Sequence, residues 1–507
     1  MSSKANNLQN LTETDVFDLV IEFLSTKGFV ETTQVLKKEV QKSPSASSRK
    51  PGTRLEDLLE KSYVTELASG ELVPRKRARS HLDAILLPKE KTDDASVEAE
   101  EEGSKKISID TQIVSYNPCG NDPYGASVMP IYQTSTFMQP SATDFGSYDY
   151  SRSGNPTRDA LQNQLAELDG GARAFCFSSG MSAIAAVSHL VQAGEEIILN
   201  DDSYGGTYRL VSKVATRQGV RVRYINMAGK AGPSNLLNAI NSSTKLVMIE
   251  SPTNPMQRIC NIRELSRICH ANDHKTGTLL SIDNTMLSPV LSRPIEHGAD
   301  LVIHSATKFM CGHSDTMAGV VVVKDRAEGE KSLAEALYFY QNAEGTALSP
   351  FDCFLVSRGI KTMSLRVTRQ MENALRVATW LKSLPIITKV IHAGLEDHPD
   401  YDIHSNQSSG GGSVVCFLTG DVLLSQHIVT TTKLFKITVS FGSVNSLIST
   451  PCSMSHASIP AEVRAARSFP EDLVRMSIGI ESADDLISDL KKAITSYKKP
   501  IPSTVSG

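Results

Sequence analysis

Residues 278–308 read TLLSIDNTMLSPVLSRPIEHGADLVIHSATK, and they contain two of the segments on which the predicted fold rests. TLLSID and ADLVIH are short apolar runs separated by a helical stretch. Runs rich in Val, Ile and Leu that alternate with helices predict parallel strands covered on both faces. Asp283 ends the first run, and Lys308 lies four residues beyond the end of the second.

The same alternation extends outward from this stretch. Further apolar runs are EEIILN, VRVRYIN, KLVMIE and GVVVV, and the helix TRDALQNQLAELDG repeats Leu161, Leu165 and Leu168 on one face before ending at Gly170. We therefore expect an α/β fold with a large, doubly wound, mostly parallel sheet, whose ligands bind at the carboxyl ends of the strands. After about Gly359, helices with a few strands, including SVVCFLTG and FKITVSF, predict a smaller α+β domain.

Composition limits the class of protein. A chain of 507 residues is expected to form two or three domains, and its 40% hydrophobic and 21% charged residues are typical of a globular protein. A net charge of −4 argues against a general nucleic-acid binder, and no apolar run is long enough to span a bilayer. The 8 cysteines occur singly, without a C-x-x-C pair, so we expect neither zinc nor a disulfide framework, and a reducing compartment.

The first hundred residues differ from the rest. Residues 16–40 carry apolar positions at helical spacing around Gly28, and FLSTKGFVETTQVLKKE resembles the LisH dimerisation motif, which we assign to residues 10–42. The alternative is an ordinary helical hairpin docked on the core of the rest of the chain. Residues 43–106 have the composition of a disordered linker. Within it, the basic patch at 75–79 is either a nuclear-import signal or exposed surface. The N-terminal stretch MSSKANNLQNLTETD lacks the features of a signal or transit peptide, which favours the cytoplasm while leaving a plastid open.

Lys308 is the residue that most directly indicates chemistry. It is flanked by the hydroxyls of Ser305 and Thr307 rather than by acids, near the end of a buried strand. Desolvation lowers the pKa of an amine, which suits a nucleophile that forms an imine. Taken alone, Lys308 would also fit an ordinary surface lysine that follows a strand.

Several strings decide between these interpretations, and they occur in the order YDYSRSGNPTRDAL, AFCFSSGMSAI, DDSYGGTYRL, ESPTNP, SIDNT, HSATKFMCGHSD and LVRMSIGIE. With them, the chain from about Asp110 to Ile494 resembles the Cys/Met-metabolism family of pyridoxal 5'-phosphate (PLP) enzymes. The resemblance implies the type I, aminotransferase-like fold. It also implies an N-terminal arm at 107–165 that reaches a neighbouring active site, a PLP-binding domain at 166–358 and a C-terminal domain at 359–507.

The resemblance also implies how the cofactor is held. Lys308 would form the Schiff base and later move the α-proton, Asp283 would face the pyridine nitrogen and keep it protonated, and Tyr204 would stack on the ring. For Asp283 the alternative is a loop cap after the strand, and for Tyr204 it is plain packing. The phosphate would be bound by the backbone N–H groups of Gly180 and Met181 at a helix start, by Ser305 and Thr307, and by Tyr150 and Arg152 of a neighbouring subunit.

The remaining implied roles concern the substrate. Arg475 would bind its carboxylate, Asn254 would contact both the cofactor and that carboxylate, and Ser440 would assist. The alternatives are a surface ion pair for Arg152 and turn chemistry for Asn254. The implied catalytic residues are Lys308, Tyr204 and Tyr150. We expect a homodimer or homotetramer and no metal, because the histidines have no shared metal spacing.

The finer resemblance favours the plant-type, β-eliminating members of the family. These would convert L-cystathionine and water to L-homocysteine, pyruvate and ammonia, a step of methionine biosynthesis. Many γ-acting members have a glutamate where this chain has Asn445, which weakens the case for γ-chemistry. Two alternatives remain at this point: a γ-synthase, γ-lyase or broader cysteine-conjugate lyase of the same family, and a LisH scaffold whose enzyme activity is secondary.

Overall fold

The structure is a computed structural model, and it describes residues 107–116, 124–271, 277–324, 332–454 and 469–499. The predicted LisH-like motif at 10–42 and the predicted linker at 43–106 lie outside the described residues. The described residues all belong to one compact unit, Lys105–Gly507. In the part of the chain that the structure describes, no helix is long and apolar enough to cross a membrane.

A seven-stranded sheet forms the centre of the larger part of this unit. Its strands are β1 (Arg173–Phe177), β2 (Glu196–Asn200), β3 (Arg221–Ile225), β4 (Thr244–Glu250), β5 (Leu279–Asp283), β6 (Leu301–His304) and β7 (Gly319–Val323). Their order is β1-β7-β6-β5-β4-β2-β3. The pairs from β6 through β3 are all parallel, which confirms the mostly parallel sheet.

Strand β7 corrects one detail of the prediction. The run GVVVV was expected to be one more parallel strand, but β7 pairs antiparallel with both β6 and β1. A parallel neighbour needs a crossover, usually a helix, whereas the segment between β6 and β7 is the irregular turn that carries Lys308. The chain therefore re-enters the sheet beside β6 and runs antiparallel to it.

Both faces of the sheet are covered by helices. These are α1 (Ile109–Ser115), α2 (Pro156–Asp169), α3 (Gly180–Ser188), α4 (Gly205–Lys213), α5 (Gly232–Ala239), α6 (Ile262–Cys269), α7 (Ser288–Leu291), α8 (Leu333–Ala343) and α9 (Pro350–Ile360), with 3-10 turns at Ala215–Gln218 and Pro294–His297. Alternate residues of β7 enter different cores: Val320 and Val322 join one, and Val321 and Val323 join the other. Because both faces are buried, the strands read as continuous apolar runs.

Helix α2 shows how the sequence sets the ends of an element. Its amino end is capped by Asn155, whose side chain accepts the N–H of Thr157, and Pro156 occupies the first helical position. Its carboxyl end is at Gly170, which has a left-handed backbone with φ of 72°. The predicted end at Gly170 is confirmed.

The smaller part contains a second, five-stranded sheet. Its elements are α10 (Met363–Lys382), β8 (Lys389–Ile391), α11 (Tyr401–Ser405), β9 (Val414–Leu418), α12 (Val422–Thr431), β10 (Lys436–Ile437), β11 (Leu447–Ser449), β12 (Val474–Ser477) and α13 (Ala483–Thr495). The strand order is β10-β11-β12-β9-β8, and only the β10–β11 pair is parallel. A third apolar core joins this sheet to α10 and α13. The smaller α+β domain is therefore confirmed.

This architecture gathers polar residues along one edge. In the parallel part of the larger sheet, Asn200, Glu250, Asp283 and His304 each occupy the last position of a strand. The carboxyl ends of parallel strands meet at the same edge, which is where ligands bind in sheets of this type. The turn with Lys308 starts from that edge too.

Candidate active site

Lys308 lies in the turn between β6 and β7, where it is partly buried. Its Nζ donates a hydrogen bond of 2.7 Å to Ser440 Oγ, from the smaller domain, and lies 5.2 Å from the centre of the Phe441 ring. Burial, together with the positive charge of Arg475, lowers the pKa of the amine to about 8. The sequence-based inference of a desolvated lysine agrees with this geometry.

Asp283 ends β5 and is held by a neighbouring threonine. Thr285 donates from its Oγ1 at 2.5 Å and from its backbone N at 3.0 Å to the same oxygen of Asp283. Thr285 Oγ1 also accepts the N–H of Ser305 at 2.8 Å, so it connects β5 to the turn with Lys308. Burial raises the pKa of Asp283, while the bonds from Thr285 and the nearby His304 oppose the rise. Among the described residues, no lysine or arginine forms an ion pair with this carboxylate.

A helix start faces the same turn. Helix α3 begins at Gly180, and the Oγ of its cap, Ser179, accepts the N–H of Ser182. A Cβ added to Gly180 would lie 3.1 Å from the Cβ and Oγ of Ser305, so the glycine allows the helix start to approach that hydroxyl. The N–H groups at such a start are suited to an anion.

Tyr204 stands beside this helix start. It caps α4 and is partly buried, and a Cβ on Gly206 would lie 2.4 Å from Tyr204 Cε1 and 2.8 Å from Met181 Sδ. Gly206 therefore leaves room for the aromatic ring against Met181. Burial and the charge of Glu250 raise the pKa of the Tyr204 hydroxyl.

Arg475, on β12, is only 2% exposed and has no carboxylate partner among the described residues. Its Nη1 donates to Asn254 Oδ1 at 3.0 Å, and its Nη2 donates to the carbonyl oxygens of Val439 and Ser440 at 3.1 and 3.2 Å. Its Nε is buried and makes no hydrogen bond. A buried guanidinium with an unused donor is suited to a carboxylate ligand.

Glu250 belongs to this arrangement although the sequence interpretation assigned it no role. One of its carboxylate oxygens accepts the N–H of Tyr204 at 2.9 Å, and the other accepts the N–H of Asn254 at 3.2 Å. The signal that points to it is the one that pointed to Asp283, an acid at the last position of a buried strand. Thr285, the last residue of the string SIDNT, and Phe441 make two further contacts, and the sequence interpretation assigned neither of them a role.

Tyr150 and Arg152 are not brought to Lys308 within one chain. Tyr150 is 42% exposed, and the Arg152 guanidinium lies 5.2 Å from the centre of its ring. Arg152 Nε donates to Asn342 Oδ1 at 3.2 Å, at the exposed end of α8. Both side chains therefore face outward from the chain that carries them.

The remaining polar candidates have contacts of their own. Thr307 Oγ1 accepts the N–H of Ala318 at 2.9 Å and donates to its carbonyl oxygen at 3.2 Å. His304 Nε2 lies 2.9 Å from Asp169 Oδ2, and both side chains are almost fully buried. Within the described ranges, no group of three His, Cys, Asp or Glu side chains is arranged to hold a metal ion.

The sequence profile of the Cys/Met metabolism PLP-dependent enzymes matches residues 110–495, which is more than half of the chain. The chain belongs to this family. It is 57% identical over 376 residues to the "Cystathionine beta-lyase, chloroplastic" of Arabidopsis thaliana, covering 74% of this chain and 78% of that protein. It is 47% identical over 373 residues to the "Cystathionine beta-lyase" of Neurospora crassa, covering 74% and 79%.

Solved structures of family members share the fold. The cystathionine gamma-lyase from Lactobacillus plantarum complexed with L-serine aligns with a TM-score of 0.73 and 35% identity, covering 77% of this chain and 99% of that one. The cystathionine gamma synthase from Xanthomonas oryzae pv. oryzae in complex with aminoacrylate and cysteine aligns with a TM-score of 0.72 and 38% identity, covering 77% and 98%. The type I fold expected from the sequence is confirmed.

PLP is therefore the cofactor of this family member, and the described residues fit it. One edge of the sheet carries a lysine of lowered pKa, a partly buried carboxylate that no described lysine or arginine pairs with, and a helix start at a glycine. These are the groups that an aldehyde, a pyridine nitrogen and a phosphate require. The chain is a PLP-dependent carbon–sulfur lyase.

Proposed function

We propose that this protein is a cystathionine β-lyase that converts L-cystathionine and water to L-homocysteine, pyruvate and ammonia. The observation that carries the proposal is the 57% identity to the cystathionine beta-lyase of Arabidopsis thaliana over 376 residues. The reaction would serve methionine biosynthesis. The Neurospora crassa protein of the same name, at 47% identity, supports the same assignment from outside plants.

When bound, PLP serves as an electron sink for the substrate's α-carbon. We assign Lys308 Nζ both the covalent attachment of the cofactor and the transfer of the α-proton. A pKa of about 8 supports this role, because an amine that titrates near the working pH is an effective general base. The Asp283 carboxylate would keep the pyridine nitrogen protonated, and Tyr204 would stack on the ring and complete the catalytic set with Tyr150.

The phosphate would be bound by donors at the carboxyl edge of the sheet. We assign this role to the backbone N–H groups of Gly180 and Met181 and to the hydroxyls of Ser305 and Thr307. The start of α3 at Gly180 and its close approach to Ser305 support the assignment. Thr307 Oγ1 donates its one hydrogen to the Ala318 carbonyl oxygen, so it would bind the phosphate by turning that hydrogen toward it.

We assign the substrate carboxylate to Arg475, assisted by Asn254 and Ser440. The Arg475 guanidinium is pre-oriented by Asn254 Oδ1 and by two carbonyl oxygens, so little side-chain entropy is lost on binding. Ser440 joins this group to the lysine, because its Oγ accepts from Lys308 Nζ and its carbonyl oxygen accepts from Arg475. The two ends of the α-amino acid would thus be held side by side.

Asn445 supports β- rather than γ-elimination. Its side chain is exposed, and its Oδ1 accepts a hydrogen bond of 3.3 Å from Lys436 Nζ. A neutral amide at this position cannot act as the carboxylate that many γ-acting members carry there. The remaining γ-acting alternatives are decided by the products.

We also propose that a second copy of the chain completes each active site. The outward orientation of Tyr150 and Arg152 supports this, because neither side chain contacts Lys308 in its own chain within the described residues. The arm that carries them also exposes large apolar side chains, with Met138 100% and Phe145 69% exposed. Exposed apolar surface of this kind marks an interaction site. A homodimer or homotetramer with the arm at 107–165 inserted beside a neighbour follows.

The N-terminal region would serve assembly rather than chemistry. We assign residues 10–42 to a LisH-like dimerisation motif, joined to the enzyme by the linker at 43–106. We also propose a cytoplasmic location, supported by the seven described cysteines, which are all free thiols and suit a reducing compartment. The plant relatives are named chloroplastic, so a fluorescent fusion to the full chain would distinguish the two locations.

A product assay tests the proposed function. Purified holoenzyme is incubated with L-cystathionine, and pyruvate, 2-oxobutyrate, homocysteine and cysteine are quantified. We expect pyruvate and homocysteine in equal amounts, and none of either with a Lys308→Ala control. Formation of 2-oxobutyrate with cysteine as the main products would contradict β-elimination and assign the protein to the γ-acting members.

A further inference from the structure

Glu250 connects two parts of the candidate active site that have different tasks. It is the last residue of β4 and is 7% exposed. Its Oε1 accepts the N–H of Tyr204, and its Oε2 accepts the N–H of Asn254. Asn254 Oδ1 in turn accepts from Arg475 Nη1. One carboxylate therefore fixes the backbone of the ring-stacking residue and of the residue that orients the carboxylate-binding arginine.

The surroundings of Glu250 are unusual for a buried acid. Its register partner on the neighbouring strand, β5, is Asp283. The two residues line one cavity of about 20 Å³, together with Ser203 and Ser281. No lysine or arginine among the described residues forms an ion pair with Glu250. Burial and the charge of Asp283 raise the pKa of Glu250, while its two amide donors oppose the rise. A second acid beside Asp283 is costly, so a reason for its presence is expected.

We propose that Glu250 is a positioning residue that sets the ring contact of Tyr204 and the carboxylate contact of Asn254 and Arg475 together. This inference rests on the site roles assigned under the proposed function. Each Glu250 oxygen satisfies one amide, and only a carboxylate has an acceptor on both sides. Glutamine has one acceptor oxygen and one NH₂ donor, so in Glu250→Gln one of the two amides would face another donor. Either the stacking or the carboxylate contact would then shift.

A second buried glutamate provides a matched control. Glu196 begins β2, at the opposite end of the sheet, and is 5% exposed. Its carboxylate binds Arg223 Nε at 2.6 Å, Thr244 Oγ1 at 2.8 Å and Asn241 Nδ2 at 3.2 Å, none of which belongs to the candidate site. Glu196→Gln removes a carboxylate from a residue of similar solvent exposure, and the partners of that carboxylate support only the fold. Effects shared by both variants report stability, and effects confined to Glu250→Gln report positioning.

The experiment uses holoenzyme and glycine as the probe. Glycine offers the α-carboxylate and amine but no leaving group, so its binding is measured from the cofactor's visible spectrum whether the enzyme performs β- or γ-elimination. We expect Glu250→Gln to weaken glycine binding roughly tenfold or more and to change the visible circular dichroism of the bound cofactor. Glu196→Gln should leave both at wild-type values. Failure of the proposed function would appear only in the product assay, so the two tests fail separately.

Coupling to Asn254 provides the decisive measurement. If Glu250 acts on carboxylate binding through Asn254, then Glu250→Gln should weaken glycine binding much less in an Asn254→Ala background than in the wild type. Fully additive effects would overturn the proposal, as would wild-type glycine affinity and dichroism in a folded Glu250→Gln holoenzyme. Should the glutamine variant not fold, Glu250→Asp replaces it. Its shorter carboxylate keeps the charge but reaches only one amide, and the same additivity test applies.

Discussion

The residues assigned to cofactor and substrate fall into two groups that differ in how far one chain encloses them. The inner residues are buried or partly buried, and they form hydrogen bonds to one another or to immediate neighbours; they are Asp283, Asn254, Lys308 and Arg475. The outer residues, Tyr150 and Arg152, are exposed and contact each other, and Arg152 also contacts Asn342. A fold that pre-orients one group and leaves the other at its surface is suited to active sites shared between copies of the chain.

The largest expected effect is a loss of turnover, and its recovery on mixing two variants tests whether active sites are shared between chains. Lys308→Ala should lose turnover by at least about 10²–10⁴-fold, because both proton transfer and cofactor attachment are removed. Arg152→Ala should also be impaired, through weaker cofactor phosphate binding. If each site combines Lys308 of one chain with Arg152 of another, refolding the two variants together should restore roughly a quarter of wild-type activity, from the one intact site in each mixed dimer. Turnover is measured before and after mixing.

The control for this mixing experiment is a variant that carries both substitutions. Mixed with the Lys308→Ala variant, the double variant should restore nothing, since no intact site can form. Absence of any recovery from the two single variants would mean that the inner and outer residues serve the same chain's site, or that Arg152 has no part in it.

The second prediction concerns the inner group alone. Arg475→Ala should raise KM for L-cystathionine while leaving the cofactor bound, with a loss of about 2–5 kcal/mol in kcat/KM for a buried carboxylate partner. Arg475→Lys should recover only part of this loss, because an ammonium group keeps the charge but not the planar fork. Steady-state kinetics and the cofactor absorbance measure the two properties. Release of PLP from Arg475→Ala would place the residue on the cofactor instead of the substrate.

The third prediction uses the pKa of Lys308. Only the neutral amine attacks the cofactor's aldehyde, and burial together with the positive charge of Arg475 lowers the pKa of Lys308 from 10.5 to about 8. The rate at which cofactor-free protein takes up PLP should therefore rise about tenfold per pH unit below 8 and level off above it. Removing the neighbouring positive charge with Arg475→Gln should move the midpoint to higher pH. A midpoint that stays near 10 in the wild-type protein would contradict the desolvated lysine.

Much of the fold follows from local patterns. The apolar runs and the cap at Gly170 locate β2 to β6 and the end of α2, because burial on both faces and a left-handed cap leave visible marks in the sequence. The direction of β7 does not follow, since five similar apolar residues fit either direction and the connecting turn decides. The contact between Asn254 and Arg475 joins residues 221 positions apart, and no local pattern predicts such a pair. The family resemblance placed both residues at the substrate carboxylate without predicting their contact with each other.

Glu250 received no role from the family resemblance, although it ends a buried strand as Asp283 does. The string ESPTNP was used as evidence for the family, yet no role was assigned to its first residue. The carboxylate acts through two backbone N–H groups, and backbone partners leave no complementary side chain in the sequence to reveal them. Lys308 and Asp283 also lie at or just beyond the ends of buried strands, but for them the family resemblance assigned a role as well.

The smallest expected effect lies outside both groups. If the LisH-like motif and linker serve assembly alone, a chain that begins at Ile107 should keep kcat/KM for L-cystathionine within about twofold, since every inner and outer residue lies beyond that point. Its mass in solution, measured by light scattering, should fall if the motif adds a contact between enzyme oligomers, and should stay unchanged if the arm at 107–165 provides all the association.

The matched control keeps residues 43–106 and deletes only 1–42, so that a loss caused by the linker is separated from one caused by the motif. A large loss of activity at unchanged mass would contradict a purely assembling role, because the N-terminal region would then influence the site within a single oligomer.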